Sequence, residues 1–288
     1  MPGQRSRLSR SESLHHQVAR NIRNDIAAGV LRDGQPLPAT RELAEQWGVS
    51  VFTISEAMKL LTTEGLVVSK PRAGRVVHAP EQVRRDEIRP STPRVVLIGG
   101  YAGSGKTELG RILARETGWP LLDKDTLTRP VVEAALEVLG CSPHDRESAP
   151  YLDIIRPREY EALMSAMTEN VRCGTSAIVT APFIREFHDT AWINRVTATC
   201  QDMGAVLSVV WVYCDATTMH TYIRHRGAAR DAAKLKDWNA YLEAIDLEFR
   251  PPVPHTVVDN SASVVPLQTQ ARKLLASIVG AGSNSCQR

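Results

Sequence analysis

Residues 94–117, RVVLIGGYAGSGKTELGRILARET, constrain the fold more than any other stretch of the chain. RVVLIGG is a continuous, largely β-branched run, suited to a strand buried on both faces of a parallel sheet. TELGRILARETG carries Leu109, Ile112 and Leu113 at the spacing of one helix face. Between them the glycines leave the backbone bare, so that unpaired amides and the positive end of the helix dipole aim at one point. That geometry suits an anion of phosphate size. The strand needs parallel partners, and PLLD (120–123), SAIVTAP (176–182), LSVVWVYCD (207–215) and HTVVDN (255–260) supply four more apolar runs with helical stretches between them. Five strands with helical crossovers predict a doubly wound parallel sheet with its ligand at the C-terminal edge.

GYAGSGKT, residues 100–107, satisfies G-x-x-x-x-G-K-[ST] in full. Gly100, Ala102, Gly103, Ser104, Gly105, Lys106, Thr107 and Glu108 are therefore the candidate nucleotide-binding set. Lys106 is expected to neutralise β- and γ-phosphates, and Thr107 to ligate Mg²⁺ through its hydroxyl. LLDKDTLTRP places Asp123 and Asp125 directly after the second strand. This resembles the D-x-D region of the small-molecule P-loop kinases, a group that includes shikimate, gluconate and antibiotic kinases and the zeta-type toxins. The resemblance implies ATP or another purine nucleoside triphosphate as cofactor, with Mg²⁺ held by Thr107 and Asp123. It also implies that a second carboxylate, Asp125, orients or deprotonates an acceptor hydroxyl. The third strand departs from the pattern, ending in Thr180-Ala181-Pro182 where an acidic residue is usual.

The same resemblance makes TYIRHRGAARDAAKLKDW the lid, with Arg224, Arg226 and Arg230 converging on transferred phosphate. Arginine suits that task because it keeps its charge and chelates two oxygens. VVDNS at 257–261 corresponds to the segment packed against adenine, with Asp259 and Asn260 as contacts. PHDRESAPYLDIIRPREYEAL concentrates His144, Asp145, Arg146, Glu147, Arg156, Arg158 and Tyr160 after the D-x-D helix, a candidate pocket for a small polar ligand.

The first third of the chain has a different character. Leu14, Val18, Ile22 and Ile26 recur every four residues as a helix stripe. ATRELAEQWG is a second, short helix stopped by Gly48, and a third restarts three residues later with Ser50 as its N-cap. Ile54, Ala57, Met58 and Leu61 form the third helix's buried side, and LVVSKPRAGRVVHA then reads as a hairpin around residues 71–74. Two short helices across a tight turn and a basic hairpin make a winged helix-turn-helix. LPATRELAEQWGVSVFTISEAMKLLTTEGLV resembles the GntR family of bacterial transcriptional regulators. In that family the third helix enters the major groove and the wing tip the minor groove. The resemblance makes Arg41 a phosphate contact, places Ser50, Thr53 and Ser55 at the reading end of the third helix, and matches Gly74 to the wing glycine. Val51 and Ser55 stand where the family usually has arginine, so Lys59, Lys70, Arg72 and Arg75 must carry more of the attraction to DNA.

The expected architecture is an α+β winged helix-turn-helix domain followed by an α/β P-loop NTPase domain, kinase-like, with a parallel five-stranded sheet. A disordered arm at 1–12 precedes the first domain at 13–78, a linker at 79–93 separates it from the second at 94–281, and a tail follows at 282–288. The net charge is only +3, yet residues 1–90 hold 14 Lys/Arg against 10 Asp/Glu, so the basic excess sits in the DNA-binding third. Five scattered cysteines without C-x-x-C pairs, no long apolar run and no apolar core behind the N-terminus predict a cytoplasmic protein without structural zinc. Paired half-sites make a homodimer the expected assembly, with double-stranded operator DNA, nucleotide and a small metabolite as partners. Two functions stay open: a regulator whose P-loop domain reads nucleotide, and an ATPase or small-molecule kinase with a fused DNA-binding domain. A well-formed DNA reader favours the first, since an enzyme alone has no need of one.

Overall fold

Helix α1 (Leu14–Ala27) buries Val18, Ile22 and Ile26 of its predicted stripe, while Leu14 in its first turn stays exposed. The computed structural model describes residues 13–71, 74–79, 90, 92–227, 231–261 and 264–280. The arm, nearly all of the linker and the tail predicted from sequence lie outside these residues. Near residue 81 the chain divides into two compact units.

In the first unit, α2 (Thr40–Trp47) ends at Gly48, whose φ of 62° lies in the left-handed region that glycine enters without steric cost. That turn sets α3 (Val51–Thr63), and the Ser50 hydroxyl accepts the Thr53 amide at 3.0 Å as the predicted N-cap. Ile54, Ala57, Met58 and Leu61 point inward from α3 and meet Val18, Ile22, Leu43 and Trp47 in one core. Burial of each large apolar side chain contributes on the order of 1.5–3 kcal/mol. Strands β1 (Val67–Lys70) and β2 (Gly74–Val77) pair antiparallel, with Lys70 opposite Gly74. Residues 34–37 extend that hairpin along its other edge: Leu37 donates to the Arg75 carbonyl and Val77 to the Gln35 carbonyl. The result is a helix-turn-helix with a small β-wing.

The second unit is built on β3 (Arg94–Gly99), whose six residues are all buried. It continues through α4 (Lys106–Thr117), β4 (Leu121–Asp123), α5 (Lys124–Val138) and a π-helical turn at Pro150–Ile155, which leads into α6 (Arg156–Arg172). There follow β5 (Ala177–Thr180), α7 (Ile184–His188), α8 (Thr190–Asp202), β6 (Val206–Tyr213), α9 (Ala216–Arg226), α10 (Ala232–Lys236), α11 (Trp238–Glu243), β7 (Thr256–Asp259) and α12 (Leu267–Gly280). The five strands pair in parallel in the order β4-β5-β3-β6-β7. Each expected strand is present within a residue or two of its sequence estimate.

Side chains alternate across β3, so Val95 and Leu97 join the core formed with α6, α7 and α8. Val96 and Ile98 fall on the opposite face, where α4 and α12 bring the buried Leu109, Ile112, Leu113, Leu274 and Ile278. Chain connections from β3 leave toward β4 on one side of the sheet, and β6 flanks β3 on the other. A crevice at the carboxyl end of β3 follows from that reversal, and the glycine loop emerges there.

Candidate functional site

The loop between β3 and α4 is held from three sides. Gly100 donates its amide to the Pro182 carbonyl at 3.1 Å, beyond the end of β5. Asn260, just past β7, donates Nδ2 to the Ser104 carbonyl at 3.0 Å. At Gly105 φ is 94°, a conformation that favours glycine, and a Cβ there would stand 2.1 Å from that same Asn260 nitrogen and displace its bond to Ser104. On the third side Gly103 packs against Met219 and Ile223 of α9. Two tyrosines complete the enclosure. Burial raises the pKa of both phenols, Tyr241 beside the Ala102 backbone and Tyr101 beside the Asp246 backbone.

Lys106 is half-buried and donates Nζ to the Tyr101 carbonyl at 3.0 Å, inside its own loop. Burial first, and then the Arg226 guanidinium, pull its ammonium down to about 8, against the opposing influence of Asp125, Asp123 and Glu108. Arg226, at the end of α9, and both carboxylates of the D-x-D segment therefore lie within electrostatic reach of the loop lysine. The buried Ser104 hydroxyl has no protein partner among the described residues. An unpaired polar atom in a cradle of backbone amides fits an oxygen-rich anion, and phosphate supplies such acceptors.

Thr107, in the first turn of α4, lies with Oγ1 3.2 Å from Asp123 Oδ2, which also accepts the Thr180 hydroxyl at 2.7 Å. The other carboxylate oxygen, Oδ1, accepts the Thr126 amide and hydroxyl, both at 2.9 Å, and caps α5. Asp123 thus has one structural oxygen and one facing the loop. A hydroxyl and a carboxylate are hard oxygen donors of the kind Mg²⁺ takes beside substrate phosphates. Thr180 fills the place at the end of β5 where the sequence lacks an acidic residue, and it orients Asp123 instead.

Behind these groups lies a buried network that sequence reading missed. Lys124 Nζ lies 2.8 Å from Glu159 Oε1 and 3.2 Å from Asp125 Oδ1, with the Lys124 and Glu159 side chains almost fully buried. Thr128 donates to Glu159 Oε1 at 2.7 Å, and Tyr151 to Oε2 at 2.8 Å. Burial works against the charge on Lys124, yet Asp125 and Glu159 outweigh it and hold its pKa above the ordinary lysine value. Burial also pushes the Tyr151 phenol up to about 12, so it serves as a donor at physiological pH. The one available signal was Lys124 between two aspartates, which reads as a solvated turn until α6 closes over it.

The remaining candidates take separate places. Arg226 pairs through Nε and Nη2 with Asp231, a carboxylate that also draws Lys234 to 3.6 Å. Gly227 ends α9 directly after Arg226; Arg224 is exposed, and Arg230 lies outside the described residues. Asp259 accepts the Ser261 amide at 2.8 Å and is tied through its backbone to Gln270.

The residues grouped as a ligand pocket do not share one face. Asp145 caps Glu147 and Ser148, Arg146 donates to the carbonyls of Pro143 and Asp145, and His144 stands 3.9 Å from Glu133. Arg158 is exposed beside Glu161, whereas Tyr160 is buried, with its phenol oxygen accepting the Phe183 amide at 3.3 Å. Helix periodicity explains that split, since positions two apart on α6 face nearly opposite ways. Arg156, by contrast, forms a largely buried pair with Glu186 and stacks over the Tyr160 ring.

In the first unit Arg41, Ser50, Lys59 and Lys70 are exposed, Thr53 and Ser55 half-buried. Ser50 and Thr53 bond to one another at 2.8 Å through their hydroxyls, and Lys59 pairs with Glu56 at 2.6 Å. Arg75 reaches from the wing to the Thr40 hydroxyl at 2.9 Å, and Gly74 opens β2 with a φ of 68°. Arg72 lies outside the described residues.

The described residues form a winged helix-turn-helix unit and an α/β unit whose glycine loop follows the central strand of a five-stranded parallel sheet. The chain belongs to the AAA domain family, whose model matches residues 95–247, more than half of its length. Residues 14–77 match the model described as bacterial regulatory proteins, gntR family. Curated relatives include the vitamin B6 salvage pathway transcriptional repressor PtsJ of Salmonella typhimurium, 35% identical over 121 residues, which are 41% of this chain and 28% of that protein. The HTH-type transcriptional repressor NagR of Bacillus subtilis is 31% identical over 110 residues, 35% of this chain and 45% of that protein. The chain thus spans less than half the length of either relative. Among solved structures, a gluconokinase from Sinorhizobium meliloti covers 67% of this chain and 95% of its own at 17% identity, with a TM-score of 0.41. YtrA from Sulfolobus acidocaldarius, a GntR-family transcription factor, covers 26% of this chain and 79% of its own at 33% identity, with a TM-score of 0.23. Among the described residues no helix is long and apolar enough to cross a membrane.

Proposed function

We propose that this chain is a DNA-binding transcriptional regulator whose P-loop unit binds ATP with Mg²⁺ and thereby alters DNA binding. The observation that carries the reading is the pairing of a winged helix matched to gntR regulators with a loop in which Lys106 turns its ammonium onto the Tyr101 carbonyl and Thr107 meets Asp123. Backbone amides from Gly103 to Thr107 bind the phosphates, Lys106 adds charge, and Thr107 with Asp123 holds the cation that balances them. Arg226 approaches from the lid, so filling the site changes what α9 and the segment after it pack against. A homodimer presents two winged helices to paired half-sites, and a small polar metabolite is a further effector.

A second reading, ATP-dependent phosphotransfer to a small acceptor, is favoured by one arrangement. Asp125 lies near Lys106 and is only partly exposed, as suits a carboxylate that accepts a proton from an acceptor hydroxyl. Capture of genomic fragments on the full chain, with and without MgATP, tests the regulator; no selected fragment would remove it. Incubation with γ-labelled ATP and a metabolite extract tests the kinase, and a labelled acceptor formed at about one turnover per second or faster would favour it.

A further inference from the structure

Phe52 is 72% exposed and Val51 47% exposed, both in the first turn of α3. The inward side of that helix is fixed by Ile54, Ala57, Met58 and Leu61, so at 100° per residue Phe52 lies close to the opposite, outward line shared with Lys59 and Thr63. The polar groups nearby are already engaged. Ser50 accepts the Thr53 amide as N-cap and bonds the Thr53 hydroxyl, and Lys59 is paired with Glu56. Two neighbouring apolar side chains therefore project furthest from the end of the helix that, in a helix-turn-helix, contacts base edges. Hydrogen-bonding side chains read guanine, adenine and cytosine there, whereas the group that an apolar side chain recognises is the thymine 5-methyl.

We propose that Phe52, with Val51 beside it, reads thymine 5-methyl groups in the major groove, so that apolar contact sets the sequence preference of this helix. The proposal rests on the DNA-binding reading above and deepens it. Cations at Arg41 and Lys70 are exposed in the same unit and supply attraction to the phosphates without sequence choice. Removing a methyl from an apolar contact weakens binding about fourfold.

The test uses the full chain and duplexes selected by it from a random-sequence library. The best duplex is then made again with single thymines replaced by uracil, which removes only the methyl. Fluorescence anisotropy at fixed salt should show a loss of about fourfold at one or two positions for the unaltered protein. Phe52→Ala should bind the thymine duplex more weakly by a similar factor and be indifferent to uracil at those positions, with its melting temperature unchanged. Equal affinity of the unaltered protein for both duplexes overturns the proposal, as does a Phe52→Ala protein that still distinguishes them. Failure to select any duplex above random removes the DNA-binding reading itself, an outcome distinct from selection without methyl dependence.

Discussion

Asn260 donates its side-chain nitrogen to the backbone carbonyl of Ser104, tying the end of β7 to the middle of the glycine loop. A residue expected from sequence as an adenine contact is thus placed to shape the phosphate cradle.

The two roles separate by experiment. Asn260→Ala should weaken ATP and tripolyphosphate to the same extent, about tenfold for loss of one hydrogen bond that orders the loop. If tripolyphosphate is bound as before and only ATP is weakened, the side chain acts on the base.

Lys106 predicts a pH signature. Its folded pKa of about 8 lies below the ordinary 10.5, so the unfolded chain holds more protons between those values. Stability of the nucleotide-free protein should therefore rise as pH increases through that window. Below pH 8 the penalty is present in full, and Lys106→Met should raise stability at pH 7 by on the order of 1–3 kcal/mol. The same variant should lose all thermal stabilisation by ATP. Urea titrations at pH 7 and pH 10 check the first statement, and a thermal shift with MgATP checks the second.

Nucleotide affinity should fall as pH rises above about 8, because the free lysine must then take up a proton to meet the phosphates. Titration calorimetry at pH 8.5 in buffers of different ionisation enthalpy should report proton uptake. Proton release at that pH would contradict the assignment of Lys106 as the titrating group.

Glu159 accepts from Lys124, Thr128 and Tyr151 in a buried site. Glu159→Ala leaves the buried Lys124 ammonium with Asp125 alone, returns Thr128 to the Lys124 carbonyl and deprives the Tyr151 hydroxyl of its acceptor, and should cost about 3 kcal/mol of stability in urea unfolding. Tyr151→Phe removes one donor to a buried carboxylate and should cost about 1.5–3 kcal/mol.

Strand and helix positions were legible in the sequence because each rests on a local pattern. RVVLIGG, LSVVWVYCD and the stripe of α4 needed no distant information, and Gly48 and Ser50 carried their own turn and cap. Side-chain partners were not legible in the same way. Thr180 meets Asp123 across 57 positions of sequence, and Asn260 meets Ser104 across 156. Tyr160 read as a pocket residue because tyrosine, arginine and glutamate crowd its neighbourhood; helix phase buries it, while Arg158 two positions away is exposed. Phe52 carries no motif of its own: the stripe of Ile54, Ala57, Met58 and Leu61 sets it on the outward side of α3, and the structure adds how far it is exposed.

The central claim is that nucleotide bound at Lys106 is felt at the DNA. Fluorescence anisotropy of the full chain on a selected duplex, with and without MgATP, measures it most directly. The account predicts a change in DNA affinity of at least about fivefold on adding MgATP, absent in Lys106→Ala, which without nucleotide should bind DNA as the unaltered protein does. An affinity that MgATP leaves unchanged, under conditions where thermal shift shows the site is filled, would contradict it.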